Sequence, residues 1–188
     1  MTGGQELENK GSGNRMEIII RNIKKEDIEK VVDIQIDSWR TAYKGIINED
    51  YLNNMNRKEK IKKREKDYQD NGFIVATVNE KIVGFCRYID SNDFSSEYTD
   101  IDCELCALYV KSTMKRQGIG KKLMKYVINE FKEKGKKKMI IWCLKENEPS
   151  KKFYKKMGGK EYANKIGEFG GSEYQEIAYC YELKDIDI

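Results

Sequence analysis

The stretch KRQGIGKK, Lys115–Lys122, joins an apolar run to a segment with helical periodicity. Gly118 and Gly120 stand two apart in it, surrounded by lysines and an arginine. A strand, a tight turn and a helix start place unpaired backbone N–H groups and the positive end of the helix dipole at one point. Glycines let a bulky anion approach the backbone, because no side chain intervenes. The stretch therefore predicts a binding site for a phosphate-bearing ligand.

Two common phosphate-binding patterns do not fit this turn. The GxxxxGK[ST] pattern of P-loop nucleotide-binding proteins is absent. The GxGxxG pattern of dinucleotide-binding folds needs a third glycine, and Leu123 occupies that position. A plain tight turn between a strand and a helix, without a ligand, is the alternative that these residues alone leave open.

The rest of the chain predicts one mixed α/β domain with elements in the order β-α-α-β-β-β-α-β-α-β-β. Only the strand–helix–strand unit around 101–144 requires parallel pairing, because such crossovers are right-handed connections between parallel strands. The predicted strands cover 16–23, 72–79, 81–90, 101–110, 137–144, 159–166 and 173–183. The predicted helices cover 24–39, 57–69, 149–157 and the segment from 118 that ends at Gly135, with a polar loop at 91–100 and a glycine loop at 167–171.

The first fifteen residues, MTGGQELENKGSGNR, are polar and glycine-rich, which is typical of an expression leader that is disordered in solution. We therefore place the folded domain at 16–188. The net charge of +4 is too small to argue for a specific nucleic-acid partner, and the lysine-rich segments 57–66 and 132–138 lack interleaved aromatic residues. No apolar run approaches the roughly 20 residues that span a bilayer, and no signal peptide follows Met16. We expect a cytoplasmic protein without a membrane partner.

Histidine is absent from the sequence, which removes Ser-His and Cys-His catalysis and histidine-ligated metal sites. Proton transfer must then use carboxylates, tyrosine, lysine, cysteine or water. All five cysteines lie in apolar, strand-like segments, which is typical of buried free thiols in a reducing compartment. Cys103 and Cys106 have CxxC spacing, but strand residues three apart face opposite sides of a sheet. We therefore expect no metal site.

The segment around the glycine turn resembles the acetyl-CoA motif of the GNAT superfamily of N-acetyltransferases. ALYVKSTMKRQGIGKKLM, Ala107–Met124, is similar to the family's [RQ]xxGx[GA] pattern after the central strand. Gly118 and Gly120 match, while Lys115 stands where Arg or Gln is usual.

A second motif of the same family follows one strand later. NEPSKKFYKKMG, Asn147–Gly158, is similar to NxxAxxFYxxxGF. Ser150 replaces the alanine and Gly159 replaces the final phenylalanine, while the Phe153-Tyr154 pair matches. Two motifs in the family's order make the resemblance specific, and the element order fits it over 16–183.

The resemblance implies a central mixed sheet that is splayed at a bulge near Leu108. It also implies acetyl-CoA as co-substrate, with no metal. The Leu108 amide would bind the thioester carbonyl, the Val110 backbone would pair with pantetheine, and the amides of 116–121 would hold the pyrophosphate. The cofactor-binding residues implied in this way are Leu108, Tyr109, Val110, Lys115, Arg116, Gln117, Gly118, Ile119, Gly120, Lys121, Asn147 and Ser150.

Two residues match the family's catalytic groups. Tyr154 corresponds to the general acid that protonates the leaving thiolate, and a phenol with an ordinary pKa of about 10 is protonated at neutral pH. Glu104 corresponds to the frequent general base that accepts the amine proton, directly or through water. The alternatives are core packing of Tyr154 beside Phe153, and an edge or exposed carboxylate at Glu104.

The acceptor side is less defined. In the family it is roofed by the first helices and by the loop between the last two strands. Trp39 and Tyr43, spaced i and i+4 on one helix face, would line the pocket, although core packing is equally open. A cationic amine is favoured by a group of acids before the expected bulge, which could equally be a solvated loop: Glu97, Asp100, Asp102 and Glu104.

These residues predict an acetyl-CoA-dependent N-acetyltransferase that acts on a primary amine of a small molecule or peptide. Direct transfer in a ternary complex is expected, while Cys106 keeps a covalent acyl-cysteine route open. A non-catalytic acetyl-CoA-binding sensor of the same fold is the alternative. The identity of the acceptor and the oligomeric state, including a homodimer, are left open.

Overall fold

The fold is described from a computed structural model over residues 16–68, 72–91 and 97–187. The predicted leader, 1–15, lies outside the described residues, so the domain boundary at Met16 stays a prediction. Part of the predicted loop at 91–100 also lies outside them.

Seven strands and five helices make up the described part of the chain, and the strands form one mixed sheet. The spatial order is β1-β2-β3-β4-β5-β7-β6. The β4–β5 pair is parallel and the other neighbouring pairs are antiparallel. The strands are β1 (Ile19–Asn22), β2 (Phe73–Val78), β3 (Lys81–Ile89), β4 (Cys103–Val110), β5 (Lys138–Leu144), β6 (Lys160–Phe169) and β7 (Ser172–Glu182). The helices are α1 (Ile28–Ala42), α2 (Glu49–Asn53), α3 (Arg57–Asp67), α4 (Ile119–Glu133) and α5 (Glu148–Lys156).

The predicted mixed sheet is confirmed, and two local predictions are wrong. The predicted order omits α2, because a five-residue helix is too short to show periodicity. Asn48 starts it, since its side chain accepts hydrogen bonds from the Asp50 and Tyr51 amides. The predicted glycine loop at 167–171 shrinks to a two-residue turn, Gly170–Gly171, and β6 continues through Phe169. Both turn glycines have positive φ, as a tight hairpin requires.

Helices pack on both faces of the sheet. On one face, α4 buries an apolar stripe of Ile119, Leu123, Met124, Val127, Ile128 and Phe131. On the other face, α1 buries Ile28, Val31, Val32, Ile34 and Ile36 against β2 and β3. The first is called the α4 face below and the second the α1 face. Within the described residues, no helix is both long and apolar enough to cross a bilayer.

Candidate active site

The two central strands separate soon after they meet. Parallel pairing of β4 with β5 covers only Cys103 with Met139 and Glu104 with Ile140. Beyond these positions β4 runs on to Val110, still paired with β3 on its other side. The open edge of β4 therefore lines a cleft between β4 and β5.

A bulge lies in β4 at Cys106. Arg87 pairs with Ala107 and Tyr88 pairs with Leu105, which leaves Cys106 as an extra residue in β4. The bulge expected near Leu108 thus lies two residues earlier. Because a bulged residue leaves the regular ladder, Cys106 is exposed, while the other four cysteines are buried. The expectation of five buried thiols is therefore wrong at this position.

The backbone of β4 presents alternate groups to the cleft. The Lys111 amide donates to the Val83 carbonyl of β3 at 2.8 Å. Since backbone groups alternate in direction along an antiparallel strand, the amides of Val110 and Leu108 point to the opposite edge, toward the cleft. The two residues that the sequence predicted to bind a thioester and pantetheine through their backbones therefore have that orientation.

The glycine turn leaves its amides unengaged by the helix that follows. Gly118 precedes α4 with φ of 81°, and no side chain caps the helix. The Lys122 amide makes the first helical bond, to the Gly118 carbonyl at 3.0 Å. The amides of the first helical turn, at 119–121, therefore have no intrahelical acceptor. Exposed Lys115, Arg116 and Gln117 precede them, so the turn fits an anionic group such as a pyrophosphate.

Asn147 and Ser150 form the start of α5 on the far side of the cleft. The Asn147 side chain is buried, and its Oδ1 accepts a hydrogen bond from the Ser150 amide at 3.3 Å. That contact caps the helix. The side-chain oxygen of Asn147 thus has a capping role within the protein, and its Nδ2 group is a donor that could contact a cofactor.

Tyr154 lies on α5 with only 6% of its surface exposed. Burial is the largest cause that raises the pKa of its hydroxyl well above the ordinary value, and the nearby Cys143, Tyr43 and Tyr109 act in the same direction. The phenol is therefore a protonated donor at neutral pH. The Tyr181 hydroxyl donates to the Tyr154 main-chain oxygen at 2.8 Å and fixes the helix against β7.

Glu104 lies on the α1 face, at the last paired position before β4 and β5 separate. Burial raises the pKa of its carboxyl group, and the charge of Glu176 adds to this effect while that of Lys165 opposes it. The Glu104 side chain is partly buried, so it is not a fully exposed carboxylate. Its role as a base stays a prediction. A carboxylate with a raised pKa is a better proton acceptor than an ordinary one.

Trp39 and Tyr43 come together with Tyr109 of β4. The Trp39 indole N–H donates to the Tyr109 hydroxyl at 2.9 Å, and the Trp39 and Tyr43 rings meet edge-on at 5.1 Å. Phe169, at the end of β6, packs on Trp39 at 5.6 Å. The tip of the β6–β7 hairpin therefore meets α1 on this face, although the aromatic cluster is also part of the core.

Two of the four acids that suggested a cationic acceptor are engaged elsewhere. Asp102 accepts hydrogen bonds from the Lys137 and Lys138 amides. Asp100 is bonded to the Lys138 ammonium and to the Tyr162 hydroxyl. Their charges stabilise the approach of β4 to β5, whereas Glu104 lies where the two strands begin to separate.

Glu176 of β7 was not among the site residues predicted from the sequence, and its side chain is only 14% exposed. Its charge is a minor contribution to the raised pKa values of Glu104, Tyr43 and Tyr109. The alternation of β7 places Glu176 on the same face as the buried residues Ala178 and Cys180. This alternation is the sequence signal that could have indicated an inward-facing Glu176. Nothing in the sequence indicates which strand it would lie beside, because β7 pairs with β5 across a long separation.

The comparison with known proteins agrees with this geometry. The family model described as the acetyltransferase (GNAT) family matches residues 30–159, which span the cleft, the glycine turn and α5. This chain belongs to the GNAT acetyltransferase family.

Several relatives and solved structures are similar to this chain over most of its length. An uncharacterized N-acetyltransferase, YuaI of Bacillus subtilis, is 30% identical over 85% of this chain and 90% of its own length. The spermidine N(1)-acetyltransferase of Thermoplasma acidophilum is 28% identical over 77% of this chain and 89% of its own. The crystal structure of the PaiA N-acetyltransferase of T. acidophilum in complex with coenzyme A has a TM-score of 0.64 and 25% identity, covering 88% of this chain and all of that one.

Proposed function

We propose that this protein transfers the acetyl group of acetyl-CoA to a primary amine, directly, in a ternary complex. The observation that carries the proposal is the cleft between β4 and β5, which has an amide-lined anion site at one end and Glu104 at the other. The coenzyme A complex of a similar N-acetyltransferase supports acetyl-CoA as the donor. Acetyl-CoA supplies the acetyl group as a thioester, with a pyrophosphate that suits the glycine turn.

Each group of the cleft then has a role. The amides at 116–121 bind the pyrophosphate, and the Val110 backbone pairs with pantetheine as an added strand would. The Leu108 amide polarises the thioester carbonyl. Glu104 accepts the proton of the amine, and the Tyr154 hydroxyl, held protonated by burial, donates a proton to the leaving sulfur. Trp39 and Tyr43 line the acceptor side.

Direct transfer is favoured over an acyl-cysteine route by the state of the Cys106 thiol. Surrounding protein atoms and the charge of Glu104 raise the pKa of this thiol to about 12. The thiol is therefore mostly protonated at neutral pH, whereas the thiolate is the nucleophilic form. Cys106 therefore lacks the activation that a covalent nucleophile requires.

The test is thiol release from acetyl-CoA over a panel of amines that includes spermidine, aminoglycosides, amino acids and short peptides with free N-termini. Acetyl-CoA binding is measured in parallel by calorimetry. We expect saturable turnover with at least one amine, and an N-acetylated product that mass spectrometry identifies. Acetyl-CoA binding without turnover of any amine in the panel would instead favour a non-catalytic acetyl-CoA-binding sensor. Failure to bind acetyl-CoA would contradict the proposal.

A further inference from the structure

A lysine of the protein itself occupies a cation-binding arrangement beside the cleft. The Lys165 ammonium on β6 lies 4.2 Å from the centre of the Trp142 ring. It is also 3.7 Å from the Glu176 carboxylate. An aromatic face and a carboxylate around one ammonium are the features that proteins use to bind alkylammonium ligands.

Strands β4, β5, β6 and β7 place Glu104, Trp142, Lys165 and Glu176 on one face of the sheet. Glu176 is paired with Leu144 of β5 and with Lys165 of β6. Trp142 precedes Leu144 by two residues and so shares its face. Glu104 of β4 is paired with Ile140, which lies two residues before Trp142 on β5, so Glu104 shares this face. The arrangement therefore lies next to the proposed general base.

The carboxylate is held in a space that β6 leaves open for it. Gly167 lies two residues beyond Lys165, and a Cβ atom there would overlap the Glu176 carboxylate. A glycine within a strand weakens it and often marks a close approach. Any side chain at this position would therefore have to displace the Glu176 carboxylate from the place it occupies.

Lys165 is well suited to leave this arrangement. Its side chain is 44% exposed, and β6 is the edge strand of the sheet. The 3.7 Å separation from Glu176 is longer than a hydrogen bond. A flexible, solvated lysine in an ion pair of this kind is weakly held.

We propose that Trp142 and Glu176 form a subsite for a second ammonium group of the acceptor, which displaces Lys165. This inference rests on the proposed acetyltransferase function and names its substrate class as short diamines and polyamines. The reacting amine lies at Glu104 while the distal ammonium lies on Trp142. Glu176 and Trp142 are specificity-determining residues in this scheme, and Lys165 is an internal competitor.

The experiment compares 1,4-diaminobutane with n-butylamine, which has the same chain and one amine. The measured quantity is the ratio of kcat/KM for the two amines, called the diamine preference. We expect Glu176→Gln to lower the diamine preference about tenfold, because one charged contact to the distal ammonium is lost. Lys165→Met should raise it several-fold, because the competing cation is gone.

Two matched variants control for general effects. Glu173 lies on the opposite face of β7 and Lys160 lies at the exposed start of β6. Glu173→Gln and Lys160→Met should leave the diamine preference unchanged. Thermal melting of each variant checks that the fold is intact. Equal effects of Glu176→Gln and Glu173→Gln, or equal wild-type use of both amines, would overturn the subsite.

The failure of the subsite and the failure of the proposed function are distinguishable. Turnover of amines with no diamine preference overturns the subsite alone. If no amine is acetylated, calorimetric titration of 1,4-diaminobutane into the protein saturated with coenzyme A tests whether the subsite binds a diamine. Diamine binding that Glu176→Gln weakens and Glu173→Gln does not supports the subsite without turnover, and absence of such binding overturns it.

Discussion

Replacing Tyr154 by Phe removes one hydroxyl group and leaves the packing of the ring intact. Among the described residues, this hydroxyl makes no hydrogen bond, so its loss should change the melting temperature little. Positioned general acids contribute roughly 10²- to 10⁴-fold to a rate. We therefore expect kcat to fall by about 10²-fold or more. Because burial raises the pKa of Tyr154 well above 10, the acid stays protonated from pH 6 to 9, and the loss should be constant over that range.

Tyr179 provides a matched control within the same core. Its ring lies 6.0 Å from that of Tyr154, and its hydroxyl is buried with no hydrogen-bond partner among the described residues. An unsatisfied buried hydroxyl costs about 1–3 kcal/mol. Tyr179→Phe should therefore raise stability by about 1 kcal/mol, or about 3 °C in melting temperature, and leave kcat unchanged.

The assay is steady-state thiol release with saturating acceptor, together with calorimetry of acetyl-CoA and a thermal melt. Acetyl-CoA affinity should be unchanged in Tyr154→Phe, because the glycine turn and the β4 edge are untouched. Equal kcat in wild type and Tyr154→Phe would refute the general-acid role, and an equal loss in Tyr179→Phe would show that packing is responsible.

Two further predictions follow from charged groups. Burial raises the pKa of Glu104, so activity that needs its ionised form should rise with pH through a limb above the ordinary carboxylate pKa of about 4.3. Glu104→Gln should lower kcat/KM about 10²-fold and abolish this limb. A rate profile of the variant from pH 5 to 9 that keeps the limb would contradict the base role. Asp27 is 5% exposed and accepts two hydrogen bonds from Arg21, at 2.6 and 3.0 Å, and one from the Lys24 amide. Burial alone would raise the pKa of its carboxyl group, but these hydrogen bonds together lower it. A lowered carboxyl pKa stabilises the fold above the unfolded value of about 3.9 and ceases to do so as pH falls through the folded value. Asp27→Asn should therefore cost about 2 kcal/mol at pH 7 and less at pH 3, as urea unfolding would measure. An equal cost at both pH values would contradict this account.

Local pattern was sufficient for the parts of the fold that depend on neighbouring residues. The apolar stripe of α4 and the glycine before it are contiguous in sequence, so the helix start and the anion site could both be predicted. The turn at Asn79 and Glu80 was also predicted from its residue types, and both have the positive φ of a tight hairpin.

Long-range register was beyond the reach of the sequence. Glu176 lies beside Leu144 of β5 because β7 inserts between β5 and β6, and no local pattern specifies that order. Asp100 and Asp102 are close to Glu104 in sequence, yet they bond to the start of β5 instead of facing the cleft. Proximity in sequence therefore overstated the acidity of the acceptor side on β4 and missed the acid that β7 contributes.

The bulge at Cys106 explains how one strand serves both faces of the site. In strict alternation, Glu104 and Tyr109 would lie on opposite faces, because they are five residues apart. The extra residue at Cys106 shifts the alternation by one. Leu105 and Leu108 therefore both pack on the α4 face, while Glu104 and Tyr109 share the α1 face with Trp39. The strand CELCALYV is apolar at most positions on both faces, so its sequence does not reveal the shift. The residue that breaks the ladder is thus the one that brings the proposed base and the acceptor-side aromatic residues to a common surface.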